Sequence, residues 1–414
     1  MKFMYGLLGE HLPHSFSPQI HKALGNNDYS LFEISPENLE AFLTEKNFKG
    51  INVTIPYKKT VIPFLDEISP EAEKIGAVNT VVVRDGKLCG FNTDYFGFKY
   101  MVEKSKITIK DKKVLVLGSG GASVTVQTVL KDMGAREIVV VSRNEKTNYT
   151  NIYNENDADI IVNTTPVGMY PDNMNTLIDV SRFPNLSGVL DVVYNPLKTR
   201  LIMEAKKVGI KTASGLGMLV AQAKKAHEIF FDTVVDNDVC AEIEKSIRLQ
   251  MSNIVLIGMA GCGKSTIGAK LAHMLKKDFF DTDEMIIHAE NKSIPEIFEI
   301  EGEKHFRTCE NIAVNLAGKN TSSVIATGGG VVTRWENCMP LKQNGIIVFI
   351  NRDVSNLPTD GRPLSQLHGV KKLYEERLPL YRQFADIEVD GNDTVEEVAK
   401  SIVREIVNFE NSCN

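Results

Sequence analysis

The sequence predicts an α/β protein of two or three domains. Short apolar runs alternate with helical patterns along its 414 residues, as expected of parallel sheets flanked by helices. Two glycine-rich turns each stand between a predicted strand and a predicted helix, GSGGAS at 118–123 and GMAGCGKST at 258–266. The signal weakens at 245–252, where we predict a joint between two halves. The length is sufficient for each domain to bury its own core.

The composition is typical of a globular protein that acts on small molecules. Charged residues make up 24% and hydrophobic residues 43%, and the mean hydropathy is -0.12. The net charge of -6 provides no basic field, so we expect small-molecule partners and neither nucleic acid nor a membrane. The six cysteines are scattered without C-x-x-C pairs, and no long uncharged span occurs. We therefore predict a cytoplasmic protein, with its oligomeric state left open.

The first hundred residues predict a substrate-binding α/β domain, completed by helices from about 217–248. Strands are expected at 4–8, 51–54 and 77–83, and a helix at 18–24. Because ligands bind outside the carboxyl ends of strands in open α/β sheets, polar segments at strand ends indicate one shared cleft. Four such segments occur: HSFSP at 14–18, NVTIPYKK at 52–59, GAVNT at 76–80 and GFNTD at 90–94.

Residues 101–216 predict a Rossmann-type dinucleotide-binding domain. A strand at 114–117 runs into the first glycine-rich turn, a helix continues to residue 133, and a second strand spans 138–141. Further strands are expected at 160–163 and 189–193, followed by a helix from about 217 that carries Gln222. Backbone groups of four turn residues are expected to face the pyrophosphate: Gly118, Gly120, Gly121 and Ala122.

The end of the second strand indicates which dinucleotide binds. An NAD site carries Asp or Glu there for the ribose hydroxyls, whereas this chain has Ser142 and Arg143, with Lys146 shortly after. Cationic side chains at this position suit the 2′-phosphate of NADP. We assign these three residues to cofactor binding and predict NADP rather than NAD.

The second glycine-rich turn has the G-x-x-x-x-G-K-[ST] spacing of a P-loop, entered from an apolar run at 254–257. Gly261 and Gly263 let backbone N–H groups surround phosphate oxygens, and Lys264 reaches the β- and γ-phosphates. The Ser265 hydroxyl is expected to ligate Mg²⁺ at the helix N-terminus, with Thr266 beside it. The turn therefore predicts a site for a nucleoside triphosphate and Mg²⁺.

The remaining patterns complete a P-loop domain at 252–414, with a parallel sheet flanked by helices. FFDTD at 279–283 follows the P-loop helix, helical signals span 293–307, a strand runs into ATGGG at 326–330, and another spans 346–350. The polar stretch at 358–363 suits a mobile loop. A helix at 374–382, a strand at 387–390 and a helix at 394–409 are expected to follow.

Together these motifs resemble two known enzyme families. Residues 1 to about 248 are similar to shikimate dehydrogenase, and residues 252 to about 410 are similar to shikimate kinase. The resemblance implies a two-domain dehydrogenase, with a substrate domain and an NADP domain, followed by a P-loop kinase domain. Such a chain would reduce 3-dehydroshikimate to shikimate with NADPH. It would then phosphorylate shikimate to shikimate 3-phosphate with ATP, in chorismate and aromatic amino acid biosynthesis.

The dehydrogenase resemblance implies a catalytic pair and a set of substrate contacts. Reduction of a ketone needs a proton donor beside the carbonyl oxygen. Lys58 and Asp94 match the family's catalytic pair, with Lys58 as the donor and Asp94 orienting it. The substrate contacts match five polar residues, of which the first two hold the carboxylate: Ser15, Ser17, Thr54, Asn79 and Gln222.

The kinase resemblance implies roles for acids, arginines and glycines. Asp281 would lie beside the Mg²⁺ ion, and Asp283 would contact the accepting hydroxyl as an orienting base. Arg362 matches a lid arginine that closes over the phosphates and stabilises charge in a loose transition state. Arginines suit the substrate carboxylate because each offers a planar fork of donors. The matched shikimate-binding positions besides Asp283 are Arg307, Arg377, Gly328, Gly329 and Gly330.

The sequence also departs from the family patterns. Val124 stands where the dehydrogenases usually carry arginine, and the short segment at 144–157 lacks a helix and a strand of the usual NADP domain, which predicts weak NADP binding. No basic residue lies between Arg352 and Arg362 to face the adenine, so we predict relaxed nucleotide selectivity, testable by comparing ATP with GTP.

Two alternatives to a bifunctional enzyme stay open at this stage. A ligand-sensing regulator derived from these domains would be favoured by loss of Lys58, Asp94, Lys264 or Asp283, all of which are present. A quinate or shikimate dehydrogenase that uses NAD, fused to the kinase, is disfavoured by Arg143. Fusion does not by itself imply channelling, and we predict none.

Overall fold

The computed structural model describes residues 4–12, 15–357 and 369–412. They form two compact units. The first comprises Met1–Met169, Asn175–Asn195 and Leu201–Ser246, and the second comprises Tyr170–Met174, Pro196–Arg200 and Ile247–Asn414. Within the described ranges, no helix is both long and apolar enough to span a membrane.

The first unit begins with a mixed six-stranded sheet. Its strands are β1 Tyr5–Gly9, β2 Tyr29–Glu33, β3 Gly50–Val53, β4 Glu67–Ile68, β5 Thr80–Arg84 and β6 Lys87–Phe91. The order is β2-β1-β3-β5-β6-β4, with β1 parallel to β2 and β3. β5 runs antiparallel to β3, with Asn52 opposite Thr80. This antiparallel sense brings the segment before β5 beside the end of β3, so both lie at one sheet edge.

Four helices accompany this sheet: α1 Ser17–Ala23, α2 Leu39–Glu45, α3 Pro70–Ile75 and α4 Thr93–Ser105. The core beneath them is apolar, with Leu8, Leu43 and Ile51 fully buried. The strands predicted at 4–8 and 51–54 and the helix at 18–24 are confirmed to within a residue or two. The expected strand at 77–83 begins later, at Thr80, because 76–79 approach β5 as a loop.

The second sheet of this unit is parallel and has five strands: β7 Lys113–Leu117, β8 Glu137–Val141, β9 Ile160–Asn163, β10 Gly188–Asp191 and β11 Lys211–Ser214. Their order is β11-β10-β9-β7-β8. The associated helices are α5 Gly121–Asp132, α6 Arg200–Lys207 and α7 Leu216–Phe231. Residues 142–159 contain only the short 3-10 helix Ile152–Glu155, so the predicted shortening of this domain is confirmed.

Helices α4 and α7 pack closely in the first unit. Gly97 permits this approach, because a Cβ atom there would lie 2.6 Å from the carbonyl oxygen of Met218 and 3.0 Å from Cβ of Gln222. The contact places the first turn of α4, which carries Asp94, near the turn of α7 that carries Gln222. Helix α8, Asn237–Met251, then covers all but the last residue of 245–252, where the sequence signal is weak.

The second unit is built on a parallel sheet of five strands: β12 Asn253–Ile257, β13 Asp278–Asp281, β14 Ser323–Ala326, β15 Gly345–Asn351 and β16 Ile387–Asp390. The order is β13-β14-β12-β15-β16, and its central strands are almost wholly buried and apolar. The helices are α9 Lys264–Leu275, α10 Thr282–Glu290, α11 Ile294–Ile300, α12 Gly302–Gly318, α13 Cys338–Asn344, α14 Val370–Phe384 and α15 Val395–Ser412. The predicted P-loop fold is confirmed.

Candidate active sites

A cleft of about 750 Å³ in the first unit gathers most of the predicted dehydrogenase residues. It lies where the loops after β1 and β3, the loop before β5, and the start of α4 meet the glycine-rich turn after β7. The expectation of one shared cleft is confirmed for the described residues, while His14 lies outside them. The predicted site residues that line the cleft are Ser15, Ser17, Thr54, Lys58, Asn79, Asp94, Gln222, Gly121 and Ala122.

Lys58 and Asp94 are in direct contact, with 2.5 Å between Lys58 Nζ and Asp94 Oδ2. Their side chains are 32% and 19% exposed, so both can reach a ligand. The loop that carries Lys58 is held by Tyr57, which is buried and donates its hydroxyl to the Ile34 carbonyl. The arrangement sets an ammonium donor against a carboxylate inside a cleft.

Helix α4 begins at a side-chain cap that positions Asp94. Asn92 accepts a hydrogen bond from the Tyr95 N–H at 3.2 Å and donates to the Ala77 carbonyl at 2.9 Å. Asn92 is buried, and these two bonds satisfy both the oxygen and the NH₂ group of its side chain within the protein. The cap therefore fixes the helical turn on which Asp94 stands relative to the loop before β5.

A polar network connects Asn79 with Gln222. The Asn79 side-chain oxygen accepts from the Thr93 N–H at 2.6 Å, and the Thr93 hydroxyl lies 3.4 Å from the Gln222 side-chain oxygen. Because the Asn79 side-chain oxygen already accepts from the Thr93 N–H, Asn79 can present its NH₂ group to a ligand as a donor. The Ser17 backbone N–H donates to the Ser15 hydroxyl at 3.1 Å, which holds Ser15 against the start of α1.

The glycine-rich turn after β7 leaves room for a phosphate group. At Gly118 φ is +103°, and a Cβ atom would lie 2.8 Å from Thr165 and 2.9 Å from Thr164, so both conformation and space require glycine. At Gly120 and Gly121 a Cβ atom would meet nothing within 4 Å, and both residues are exposed. The turn therefore offers open backbone at the start of α5.

The three residues predicted to select NADP follow β8, next to this turn. The Gly118 N–H donates to the Val141 carbonyl at 2.8 Å, which ties the turn to the residue before Ser142. Ser142 is buried, whereas Arg143 and Lys146 are exposed. Two cationic side chains thus lie beside the open turn, where they would bind a 2′-phosphate on the ribose.

The P-loop of the second unit joins β12 to α9. Gly258, Gly261 and Gly263 all have positive φ, which lets the backbone curl around a phosphate. Lys264 is buried, and its Nζ donates to the carbonyls of Gly258 at 3.0 Å and Met259 at 2.9 Å. The lysine is therefore held across the mouth of the loop.

Two oxygens beside the P-loop suit a hard cation. The exposed Ser265 hydroxyl donates to Asp281 Oδ2 at 2.6 Å, while Asp281 Oδ1 caps α10 by accepting from the Asp283 N–H at 2.9 Å. A hydroxyl and a carboxylate are oxygen ligands of the kind that Mg²⁺ prefers, so this pair fits the predicted ion. Asp281, and not Asp283, is the cap of the helix, which starts at Thr282.

Asp283 lies in an unusual electrostatic setting. Burial, together with the neighbouring Asp281 carboxylate, raises the pKa of Asp283 to about 6. Its Oδ1 atom is buried without a hydrogen-bond partner among the described residues. A Cβ atom at Gly328 would lie 2.7 Å from that oxygen, so any other residue at this position would collide with the Asp283 carboxylate.

The two arginines predicted to bind substrate flank the Gly328–Gly330 turn. A Cβ atom at Gly330 would lie 2.1 Å from Arg307 Nη1, and Arg377 donates to the Gly329 carbonyl at 3.1 Å. Both arginines are more than nine-tenths buried. The turn, both arginines and Asp283 therefore meet in one place. Arg362 belongs to 358–368, outside the described residues, so its lid role stays a prediction, as does the mobile loop at 358–363.

Family models match both parts of the chain. The model of the shikimate dehydrogenase substrate binding domain matches residues 7–81, and the shikimate kinase model matches residues 260–407. The shikimate dehydrogenase (NADP(+)) of Clostridium beijerinckii is 43% identical over 253 residues, which cover 56% of this chain and 93% of that protein. The chain belongs to the shikimate dehydrogenase family.

Solved shikimate dehydrogenase structures agree with this assignment. A chorismate mutase/shikimate 5-dehydrogenase fusion protein from Clostridium acetobutylicum is 39% identical, with a TM-score of 0.57, over 60% of this chain and 97% of that one. Shikimate 5-dehydrogenase from Thermus thermophilus, in complex with NADP(H) and shikimate, is 33% identical, with a TM-score of 0.54, over 59% of this chain and 99% of that one. With the kinase match, the chain joins a shikimate dehydrogenase to a shikimate kinase.

The structure adds residues to the kinase part that the sequence analysis did not assign. Glu310 is fully buried, and both its oxygens lie 3.0 Å from Arg307 Nη1. Burial raises the pKa of Glu310, while the Arg307 charge opposes that rise. Tyr381 donates to the Gly329 carbonyl beside Arg377. The three-residue spacing of Arg307 and Glu310 on a helix could have indicated the ion pair, whereas its burial could not be read from spacing.

Proposed function

We propose that this chain catalyses two consecutive reactions, reduction of 3-dehydroshikimate to shikimate with NADPH and phosphorylation of shikimate with ATP. The observation that carries the first reaction is the Lys58–Asp94 contact inside a cleft that also contains Asn79, Gln222 and the glycine-rich turn. The convergence of Lys264, Asp283 and two buried arginines supports the second.

In the reduction, Lys58 gives a proton to the ketone oxygen of the substrate. Asp94, 2.5 Å from Lys58 Nζ, holds the lysine side chain in place for this transfer. NADPH supplies the hydride when bound at the glycine-rich turn, with Arg143 and Lys146 toward its 2′-phosphate. Ser15 and Ser17 would hold the substrate carboxylate, and Asn79 would donate to a ring hydroxyl.

In the phosphorylation, Lys264 faces the transferred phosphoryl group and neutralises charge that develops on it. Asp283 orients the accepting hydroxyl and takes its proton, while Arg307 and Arg377 bind the substrate carboxylate. Ser265 and Asp281 would hold Mg²⁺, which would offset the negative charge of the phosphates. The Arg362 side chain would close over the phosphates.

The cysteines bear on where the chain acts. The described cysteines, Cys89, Cys240, Cys262, Cys309 and Cys338, are all free. Scattered free thiols and a supply of NADPH and ATP are features of a reducing compartment. We include a cytoplasmic location in the proposal.

One assay tests both reactions in the same tube. Purified chain receives NADPH and 3-dehydroshikimate, NADPH oxidation is followed, and ATP with Mg²⁺ is then added and shikimate 3-phosphate is measured. We expect NADPH loss followed by phosphorylated product. Phosphorylation of supplied shikimate without NADPH loss would contradict the first reaction and leave the kinase alone. The regulator alternative would require that neither reaction occurs.

A further inference from the structure

Three side chains of types that bind metal ions meet in the second unit, at the end of α10 and on α12. Glu290 is the last residue of α10, and His305 and Cys309 stand one helical turn apart on α12. One ligand atom from each of these residues lies within 4.8 Å of the others. Glu301, just before α12, approaches the same histidine.

The distances within the cluster are those of a coordination shell. Cys309 Sγ lies 3.2 Å from Glu290 Oε1 and 3.4 Å from His305 Nε2. His305 Nε2 lies 3.2 Å from Glu290 Oε2 and 3.0 Å from Glu301 Oε2. Bonds of about 2.0–2.3 Å from a tetrahedral Zn²⁺ ion place its ligand atoms roughly 3.3–3.7 Å apart. The contacts among Glu290, His305 and Cys309 lie close to this range, so small shifts would allow these three side chains to share one ion.

The chemistry of the ligands selects the class of ion. A thiolate and an imidazole favour zinc and similar transition metals, whereas Mg²⁺ and Ca²⁺ prefer oxygen alone. The side chains of His305, Glu290 and Glu301 are 36%, 24% and 27% exposed, so an ion can enter from solvent. Lys292 contacts Glu301 through its other oxygen, Oε1, which leaves Oε2 directed at the histidine.

We propose that Glu290, His305 and Cys309 form a zinc-binding site. Binding would join the end of α10 to α12, the helix that carries Arg307 two residues after His305. The site would stabilise this part of the kinase fold without entering the chemistry of either reaction. The proposal is independent of the proposed function.

Cobalt titration of the full chain tests the site. Metal-free protein in excess Mg²⁺ is titrated with Co²⁺, and the near-ultraviolet absorption band that arises from a cobalt–thiolate bond is recorded. We expect the band in the original chain and none in Cys309→Ser. The matched control is Cys89→Ser, which removes a buried thiol 3.8 Å from Glu67 with no histidine in the pair, and it should keep the band.

Zinc competition and heat unfolding provide a second measurement. With a chelating dye as competitor, His305→Gln and Glu290→Gln should each weaken Zn²⁺ binding about tenfold or more. Zn²⁺ should raise the unfolding temperature of the original chain and not that of these variants. The proposal is wrong if the original chain shows no cobalt–thiolate band, or if the band or the zinc affinity survives in the variants. Glu290→Gln preserves side-chain shape, so this variant answers the question even if Cys309→Ser does not fold.

Discussion

Lys58 and Asp94 show how one contact between two residues can define a reaction. Their 2.5 Å separation and partial exposure support our proposal that Lys58 is the acid of the cleft and Asp94 its orienting partner. In the kinase part, Arg307 depends in the same way on Glu310, which is buried behind it. In each pair a residue that meets the substrate is held by a second of opposite charge, and each pair leads to a testable prediction.

Replacement of Lys58 should remove the proton donor. We expect Lys58→Met to lower kcat for 3-dehydroshikimate reduction by about 10²–10⁴-fold. Kinase activity of the same chain should be unchanged, because Lys58 lies in the first unit and the P-loop site in the second. Lys99→Met is the matched control, since this lysine lies on α4 in an exposed pair with Glu103. A Lys58→Met variant with normal kcat would remove the lysine from the mechanism.

Replacement of Glu310 should loosen Arg307. The Glu310→Gln variant removes the buried carboxylate from Arg307 and leaves only the exposed Glu303 to hold the guanidinium fork. We expect the KM for shikimate in the kinase assay to rise about tenfold, with a smaller change in kcat. Glu303→Gln serves as the control, because Glu303 contacts the same arginine but its side chain is 52% exposed. Equal KM changes in the two variants would argue against a special role for Glu310.

Elements were predicted well where a motif and a buried strand coincide, as at β7 with its glycine turn and at β12 with the P-loop. Strand β2 was not predicted, because its half-exposed residues show no apolar run. The antiparallel direction of β5 was also beyond a single sequence, since it depends on pairing with β3. Likewise, Asn92 was quoted within GFNTD, but its capping role became visible only with the start of α4.

Loss of the α4 cap should affect both stability and catalysis. Asn92→Ala removes the bond from the Tyr95 N–H and leaves the buried Ala77 carbonyl without its donor. We expect a loss of about 1–2 kcal/mol of stability and a lower kcat for reduction, because Asp94 stands on the first turn. Ser69→Ala removes a cap from α3, so it should cost stability without changing kcat. Unaltered kcat in Asn92→Ala would show that the cap does not position Asp94.

A buried histidine should make the first unit sensitive to acid. His21 on α1 is fully buried, stacked on Tyr29, with Nε2 3.1 Å from Asn52 Oδ1. Burial first, and then nearby His227, lowers the pKa of His21 from 6.5 to about 3. The unfolded chain therefore binds a proton between these values that the folded chain does not, so stability falls as pH drops below 6.5.

The slope of this loss can be measured through urea inactivation. Dehydrogenase activity after incubation in urea, from pH 7.5 down to 5.5, reports unfolding of the first unit. We expect His21→Gln to reduce the pH dependence by up to about 1.4 kcal/mol per pH unit. Burial also lowers the pKa of His227, so some dependence with the same sign should persist. Identical slopes in the two chains would show that His21 titrates alike in the folded and unfolded states.

At the scale of the whole molecule, the described residues that we assign to each reaction all lie within one compact unit. The residues of the cleft all belong to the first unit, and the P-loop, Asp283 and both arginines belong to the second. The order of the two activities was predictable from motifs alone, because each motif carries its own chemistry. How one activity affects the other was not predictable from the motifs, because that depends on the rates of the reactions.

Two inactive chains should therefore complement each other in solution. A Lys58→Met chain cannot reduce 3-dehydroshikimate, and a Lys264→Met chain cannot phosphorylate shikimate, so only shikimate released into solvent links them. We expect an equal mixture to form shikimate 3-phosphate with the same lag as the original chain at matched active-site concentrations. Because each site is complete in its own unit for the described residues, release and rebinding are sufficient. A much longer lag in the mixture would show that the original chain passes shikimate between its sites before release.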